Sequence, residues 1–228
     1  MVFEEMRDEY HSDTCSMAEA MKTGHEKNYD YLVTLLPAAD FTKAAALGFS
    51  EVNAESARIS FLCRDYRLGH HGVDDLGGAG KVSINCRGVL IYYLTHGGVG
   101  EPTGKFQLLH QFSSGIFTGG GKDLNWMARP LTKLFGGERQ DGLLRFRRVM
   151  AILGATETAA RASADASFFY RLLPKLPVQI DYYAADDEFP CEVKFLYDQR
   201  ALDFLPFETL AVAGGCLVGE IAHIAHSI

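Results

Sequence analysis

Three short, strand-like segments lying close together near the C-terminus constrain this chain more than any other feature. Phe168-Phe169-Tyr170, Val178 to Tyr183 and Cys191 to Tyr197 are rich in aromatic and β-branched residues. The segments between them hold turn signals, Pro174 to Pro177 and Asp186 to Pro190. Such gaps accommodate a turn but not the dozen or so residues that a crossover between parallel strands requires. An antiparallel meander is therefore expected, with Asp186 to Pro190 as an exposed turn. Val193, Phe195 and Tyr197 alternate with Glu192, Lys194 and Leu196, in keeping with a strand. A final helix should follow, with Pro206 at its first position and running to about Ala225. Leu210, Val212, Ala213, Cys216, Leu217, Gly219 and Ile221 give it a wide apolar stripe, so it should pack on the sheet and bury Leu217.

Upstream, helical patterning runs from Met17 to Leu36 and ends at Pro37. Asp40 reads as the N-cap of a short helix, Phe41 to Leu47, closed by Gly48. Ala57 to Gly69 reads as two strands with a tight turn near Arg64-Asp65, and His70 to Gly80 as a loop. Val82 to Leu94 reads as a buried helix capped by Ser83. Lys105 to Phe112 reads as a strand, and Asp123 to Phe135 and Asp141 to Leu153 as helices. Helices and strands come in blocks, so the expected class is α+β: an antiparallel sheet with packed helices, a C-terminal strand meander and a terminal helix. Residues 1–15 are expected to be loose and residues 16–228 to form a single domain.

The hydrophobic share of 47% in 228 residues suffices for a sizeable core. The net charge of −7 disfavours nucleic-acid partners. The one basic cluster, Arg139, Arg145, Arg147 and Arg148, reads as a solvated face or as salt-bridge partners. Met1 to His11 is too polar for a signal peptide. Phe204 to Ile228 is the most apolar stretch, but Glu208, Glu220, His223 and His226 interrupt it; a buried helix is expected there rather than a membrane span. The five cysteines include no C-x-x-C pair. Free thiols in a reducing cytoplasm are expected, with no iron–sulfur cluster.

Four motifs follow one another in order: Leu173-Pro174-Lys175-Leu176-Pro177, Asp186-Asp187-Glu188-Phe189-Pro190, Phe195-Leu196-Tyr197-Asp198 and Leu205-Pro206-Phe207-Glu208. With Phe61-Leu62 and Tyr66, Thr103-Gly104-Lys105-Phe106 and Leu134-Phe135-Gly136, they resemble the domain-of-unknown-function family 3786 over roughly residues 40–222. Tyr92-Tyr93-Leu94 stands where many relatives have His-Tyr-Leu, so a histidine required there is not carried by this chain. The resemblance implies an origin mainly among anaerobic bacteria and archaea. Some members carry an appended cysteine-rich iron–sulfur domain, which implies an association with redox, one-carbon or corrinoid metabolism.

Several groups have the residue types for chemistry. Asp186, Asp187 and Glu188 are consecutive carboxylates, able to raise one another's pKa or to hold a hard cation; Asp198 and Glu208 could join them. His70 and His71 beside Asp74 and Asp75 suit zinc or acid–base work. His223 and His226 share a helix face with metal or tetrapyrrole ligand spacing. Gly120 and Gly121, ahead of a helix, offer backbone N–H groups to an anion. Each has a plainer reading: a solvated turn, a surface loop, an exposed C-terminus, a flexible connection. His110 reads as a half-buried strand histidine.

Three functions remain open at this level. The first is a non-catalytic accessory or ligand-binding domain. The second is an enzyme joining the Asp186–Glu188 turn to a loop histidine, and the third an oligomeric interaction module. The expected partners are a second copy of the chain or a protein of redox or one-carbon metabolism, with neither nucleic acid nor membrane.

Overall fold

The computed structural model describes residues 24–112, 128–137, 139–161 and 163–228. Their eight strands make two antiparallel sheets, the first of β1 (Ser56–Phe61), β2 (Arg64–Gly69) and β3 (Gly72–Gly78) in that order. The second sheet holds β4 (Phe106–Leu108), β5 (Thr156–Thr158), β6 (Ala166–Leu173), β7 (Leu176–Tyr183) and β8 (Glu192–Asp198), in the order β4-β8-β7-β6-β5. The expected meander is thus its centre, with Ile180 of β7 opposite Phe168 on one side and Phe195 on the other. Among the described residues five α-helices accompany the sheets: α1 (Gly24–Val33), α2 (Ile84–His96), α3 (Arg129–Phe135), α4 (Arg139–Leu153) and α5 (Phe207–His226). The buried residues of both sheets and the helices join in one hydrophobic cluster. The class is α+β.

The local chemistry explains most boundaries. Asp40 caps the 3₁₀ helix Phe41–Leu47 through the Thr42 N–H, and Gly48 ends it in the left-handed region. Ser83 caps α2 by accepting the Asn85 N–H at 3.2 Å. On α4, Phe146 stacks on Tyr182 at 4.7 Å and meets Phe135 edge-on at 4.9 Å. Arg145 donates to the Ala225 carbonyl at the end of α5 (2.8 Å), and Arg147 pairs with Glu157 of β5. At least these two members of the arginine cluster serve as braces.

Some details differ from expectation. The β1–β2 turn is Leu62-Cys63, two residues earlier than Arg64-Asp65, with both residues in the left-handed region (φ 50° and 59°). That geometry makes a tight hairpin but normally takes Asn or Gly; here Leu62 is buried, so packing holds what propensity would not. His70 to Gly80 is no loop. Its glycines form the edge strand β3, where Val73 is buried and Arg64 grips Asp75 at 2.7 and 2.8 Å. A side chain at Gly78 would overlap Cys63 and Arg64, so glycine lets β3 lie this close.

Lys105 to Phe112 is strand only at β4, then a 3₁₀ turn, with His110 exposed. Leu176 and Pro177 belong to β7, leaving Pro174-Lys175 as the hairpin turn. Pro206 precedes α5 with an extended backbone (ψ 152°) instead of occupying its first position. Leu217 is fully buried, as expected, but the close neighbours of α5 are α2, α3 and α4. By length and mean hydropathy (1.3) α5 could cross a membrane, and half of that window is buried in this fold. Residues 1–15, the start of the Met17 helix, Asp123 to Asn125 and Gly119 to Gly121 lie outside the described residues.

Candidate functional site

The groups nominated by sequence fall in separate places. Asp186 accepts the N–H groups of Glu188 (2.9 Å) and Phe189 (2.7 Å), so its carboxylate organises its own exposed turn; Asp187 and Glu188 face solvent. His70 and His71 form the two-residue turn between β2 and β3. His70 Nδ1 lies 3.1 Å from the Leu36 carbonyl and its ring meets Phe41 edge-on, Asp75 is taken by Arg64, and His71 and Asp74 are exposed. The turn and the histidines thus sit on different sheets. His223 and His226 are exposed on α5, with His226 Nδ1 against the Ala222 carbonyl (2.6 Å). Asp198 is buried inside a set of hydrogen bonds from Thr103, Gly104 and Arg200, and Glu208 is exposed in the first turn of α5. Gly120 and Gly121 are outside the described residues. Among the described residues, no group of three or more His, Cys, Asp or Glu is disposed to hold a metal.

A different constellation is assembled where the β1–β2 turn and the segment after β3 meet α2 and α5. A cavity of about 460 Å³ opens there. Leu62 and Val212 contribute apolar wall, and the start of α2 brings Ser83, Asn85 and Cys86. Successive turns of α5 bring Cys216 and Glu220. Val212, Cys216 and Gly219, expected in the buried stripe of the helix, line this cavity instead. No neighbouring atom lies within 4 Å of where a side chain would begin at Gly219, so that glycine leaves the space open.

Glu220 is the unusual member. Only 2% of it is exposed. Its Oε2 accepts the backbone N–H of Lys81 at 2.8 Å, and its Oε1 has no partner among the described residues. Gly80 lets the segment before Lys81 run against the β1–β2 turn, because a side chain there would overlap the Leu62 carbonyl. A buried carboxylate with one satisfied oxygen is costly, by several kcal/mol. A larger hollow of about 690 Å³ beside Asp40 and Lys43 contains no such orphaned atom.

Beside Glu220, Cys86 and Cys216 line the same cavity. Interaction with the Cys216 thiol, helped by Ser83, holds the Cys86 thiol below its usual range against burial and the charge of Glu220. The same interaction, with burial, pushes the Cys216 thiol up. Burial, aided by the charge of Glu220, also raises Cys63 in the β1–β2 turn. All four described cysteines are free; Cys15 lies outside the described residues. The arrangement can accept a hydrogen bond or a positive charge inside an apolar wall, with two free thiols lining the same cavity.

Sequence reasoning met Glu220 only as an interruption of an apolar stretch, Ser83 as a helix cap and the cysteines as free thiols. The usable signal was a carboxylate four residues after a cysteine within the apolar middle of α5.

The family described as "domain of unknown function (DUF3786)" matches residues 40–220. Neither the curated proteins nor the solved structures give a match.

Proposed function

The chain belongs to the domain-of-unknown-function family DUF3786, and from that premise we propose that it is a non-catalytic ligand-binding domain whose site is the cavity between α2 and α5. The observation that carries this reading is the orphaned Oε1 of buried Glu220. A polar atom withdrawn from water without a partner destabilises the fold unless something binds it. The cavity lies within the ordinary range for small-molecule sites, which combine apolar walls with a few placed polar groups. The ligand class that fits is a small molecule with an apolar body and a protonated amine or another strong N–H donor, directed at Oε1. We place the domain in redox or one-carbon metabolism of a reducing cytoplasm, on the family resemblance and on the free thiols at the site.

Thermal denaturation with small apolar amines such as benzylamine and cyclohexylamine tests the reading. A compound that binds only the folded state raises the melting temperature with its concentration. At least one should do so for the wild type, and Glu220→Gln should abolish the effect. Equal shifts in both proteins, or none with any amine, would remove Glu220 from a binding site.

A further inference from the structure

We propose that the α2–α5 cavity is one end of a longer site, and that its ligand is a linear amine charged at both ends, with the second ammonium held in a neighbouring cavity against Glu208. The proposal rests on the reading of Glu220 as an amine acceptor and adds to it the shape of the ligand and a second charge.

The neighbouring cavity, of about 180 Å³, lies where α1 meets α2 and α5. Asn85 of α2 and Val212 of α5 line both cavities, so the two adjoin. On α5, Glu208, Val212, Cys216 and Glu220 follow one another at intervals of four. Residues so spaced form a single ridge on a helix surface. The ridge begins with Glu208 in the second cavity, passes Val212 at the junction and ends with Cys216 and Glu220 in the first. Twelve residues at a rise of about 1.5 Å each set the two carboxylate residues about 18 Å apart along the helix axis.

The two ends suit the same chemical group. At one, Glu220 is buried with Oε1 unpartnered. At the other, Glu208 is exposed, and Tyr29 and Tyr92 join it in lining the cavity. Carboxylates and aromatic rings are the side chains that hold an ammonium. Between the ends the ridge is apolar at Val212, whose side chain is exposed at 39%, and Gly219 leaves open space beside Cys216. A chain of methylenes laid along the ridge covers Val212 and fills that space. A compact amine reaches Glu220 alone, and an amino acid of the same length would set its carboxylate against Glu208. The net charge of −7 favours the approach of a dication over that of a monocation.

The test is isothermal titration calorimetry of the full chain at neutral pH and low salt, with octylamine, its counterpart bearing an amino group at each end (diaminooctane), and the short diamine putrescine. Octylamine should bind through Glu220. Diaminooctane should bind about two- to fivefold more tightly, the contribution of one exposed ion pair. Putrescine, too short to span the ridge, should bind more weakly than either, since each buried methylene tightens binding by about fourfold. Glu208→Gln, at an exposed position, should remove the advantage of diaminooctane and leave octylamine unchanged. Salt at about 1 M, which screens exposed charges beyond about 3 Å, should remove the same advantage without any substitution. Glu220→Gln should weaken both long amines by at least about tenfold. The second subsite is refuted, and the amine-binding reading stands, if octylamine binds in a Glu220-dependent way while diaminooctane binds no more tightly. A diamine advantage that survives Glu208→Gln or high salt refutes it equally. If neither long amine binds, or if Glu220→Gln binds both as well as the wild type does, the reading and the proposal fall together.

Discussion

Gly104 donates its backbone N–H to the buried carboxylate of Asp198 at 2.7 Å, across 94 residues of sequence. Thr103 Oγ donates to both oxygens of the same carboxylate, and the Arg200 N–H adds a further bond at 2.9 Å. The strand β4 is thereby fastened to the end of β8, where Phe106 faces Asp198. Two of the motifs behind the family resemblance, Thr103-Gly104-Lys105 and Tyr197-Asp198, are therefore one brace. The Lys175 motif is another: Tyr93 OH accepts the Lys175 N–H at 3.0 Å and donates to the Leu47 carbonyl at 2.8 Å.

Replacing Asp198 by alanine should cost about 3 kcal/mol or more, since a buried charged acceptor loses several partners and leaves their donors unsatisfied. Urea denaturation of the variant measures this. A loss below about 1 kcal/mol would mean that β4 holds without the brace.

The three-stranded sheet should respond to acid through Asp75. The bidentate bond to Arg64, with the Gly77 N–H, holds its carboxyl below the ordinary carboxylate range. Its folded-state pKa is thus lower than its unfolded one, so its contribution is complete above about pH 4 and is lost as pH falls through the folded value. Melting curves taken between about pH 6 and about pH 2 should show a steeper loss for the wild type than for Asp75→Asn. Parallel curves for the two proteins would show that the Arg64 pair contributes nothing to pH-dependent stability.

Leu217 is fully buried on α5, whereas His226 lies exposed near its end. Leu217→Ala should cost about 2 to 5 kcal/mol, by transfer and by the cavity left behind. His226→Ala gives up one local contact to the Ala222 carbonyl and should stay within about 0.5 kcal/mol. Equal melting temperatures would contradict the placement of α5 among α2, α3 and α4.

The meander was legible because its information is local: aromatic and β-branched runs, proline turns, and along β8 side chains whose burial follows the strand period. The caps at Asp40 and Ser83 were legible for the same reason. The Leu62-Cys63 turn was not, because apolar residues in the left-handed region give no turn signal; their conformation is imposed by packing. Nor was β3, whose glycines read as a loop until β2 is set beside them. The cavity was hidden by distance: Lys81 and Glu220 meet across 139 residues, and no periodicity or spacing rule connects them. Each nominated carboxylate and histidine cluster was a sequence neighbourhood, and the fold disperses its members: Asp186 is engaged in its own turn and His70 by the distant Leu36 carbonyl, while Asp187 and His71 are exposed.

Glu220 sets binding against stability. Its Oε2 bond to the Lys81 N–H can be kept by a glutamine carbonyl, while the buried carboxylate with an orphaned oxygen is replaced by a neutral amide. A neutral group loses far less on leaving water than a carboxylate does. Glu220→Gln should therefore raise the stability of the unliganded protein at neutral pH by about 1 kcal/mol or more. A residue kept for binding commonly lowers stability in this way, whereas one kept for the fold does not. Urea denaturation of the two proteins without amines or oxidants decides it. If Glu220→Gln is the less stable of the two, the carboxylate is a structural bond to the β3–α2 connection, and the cavity loses the feature that marks it as a site.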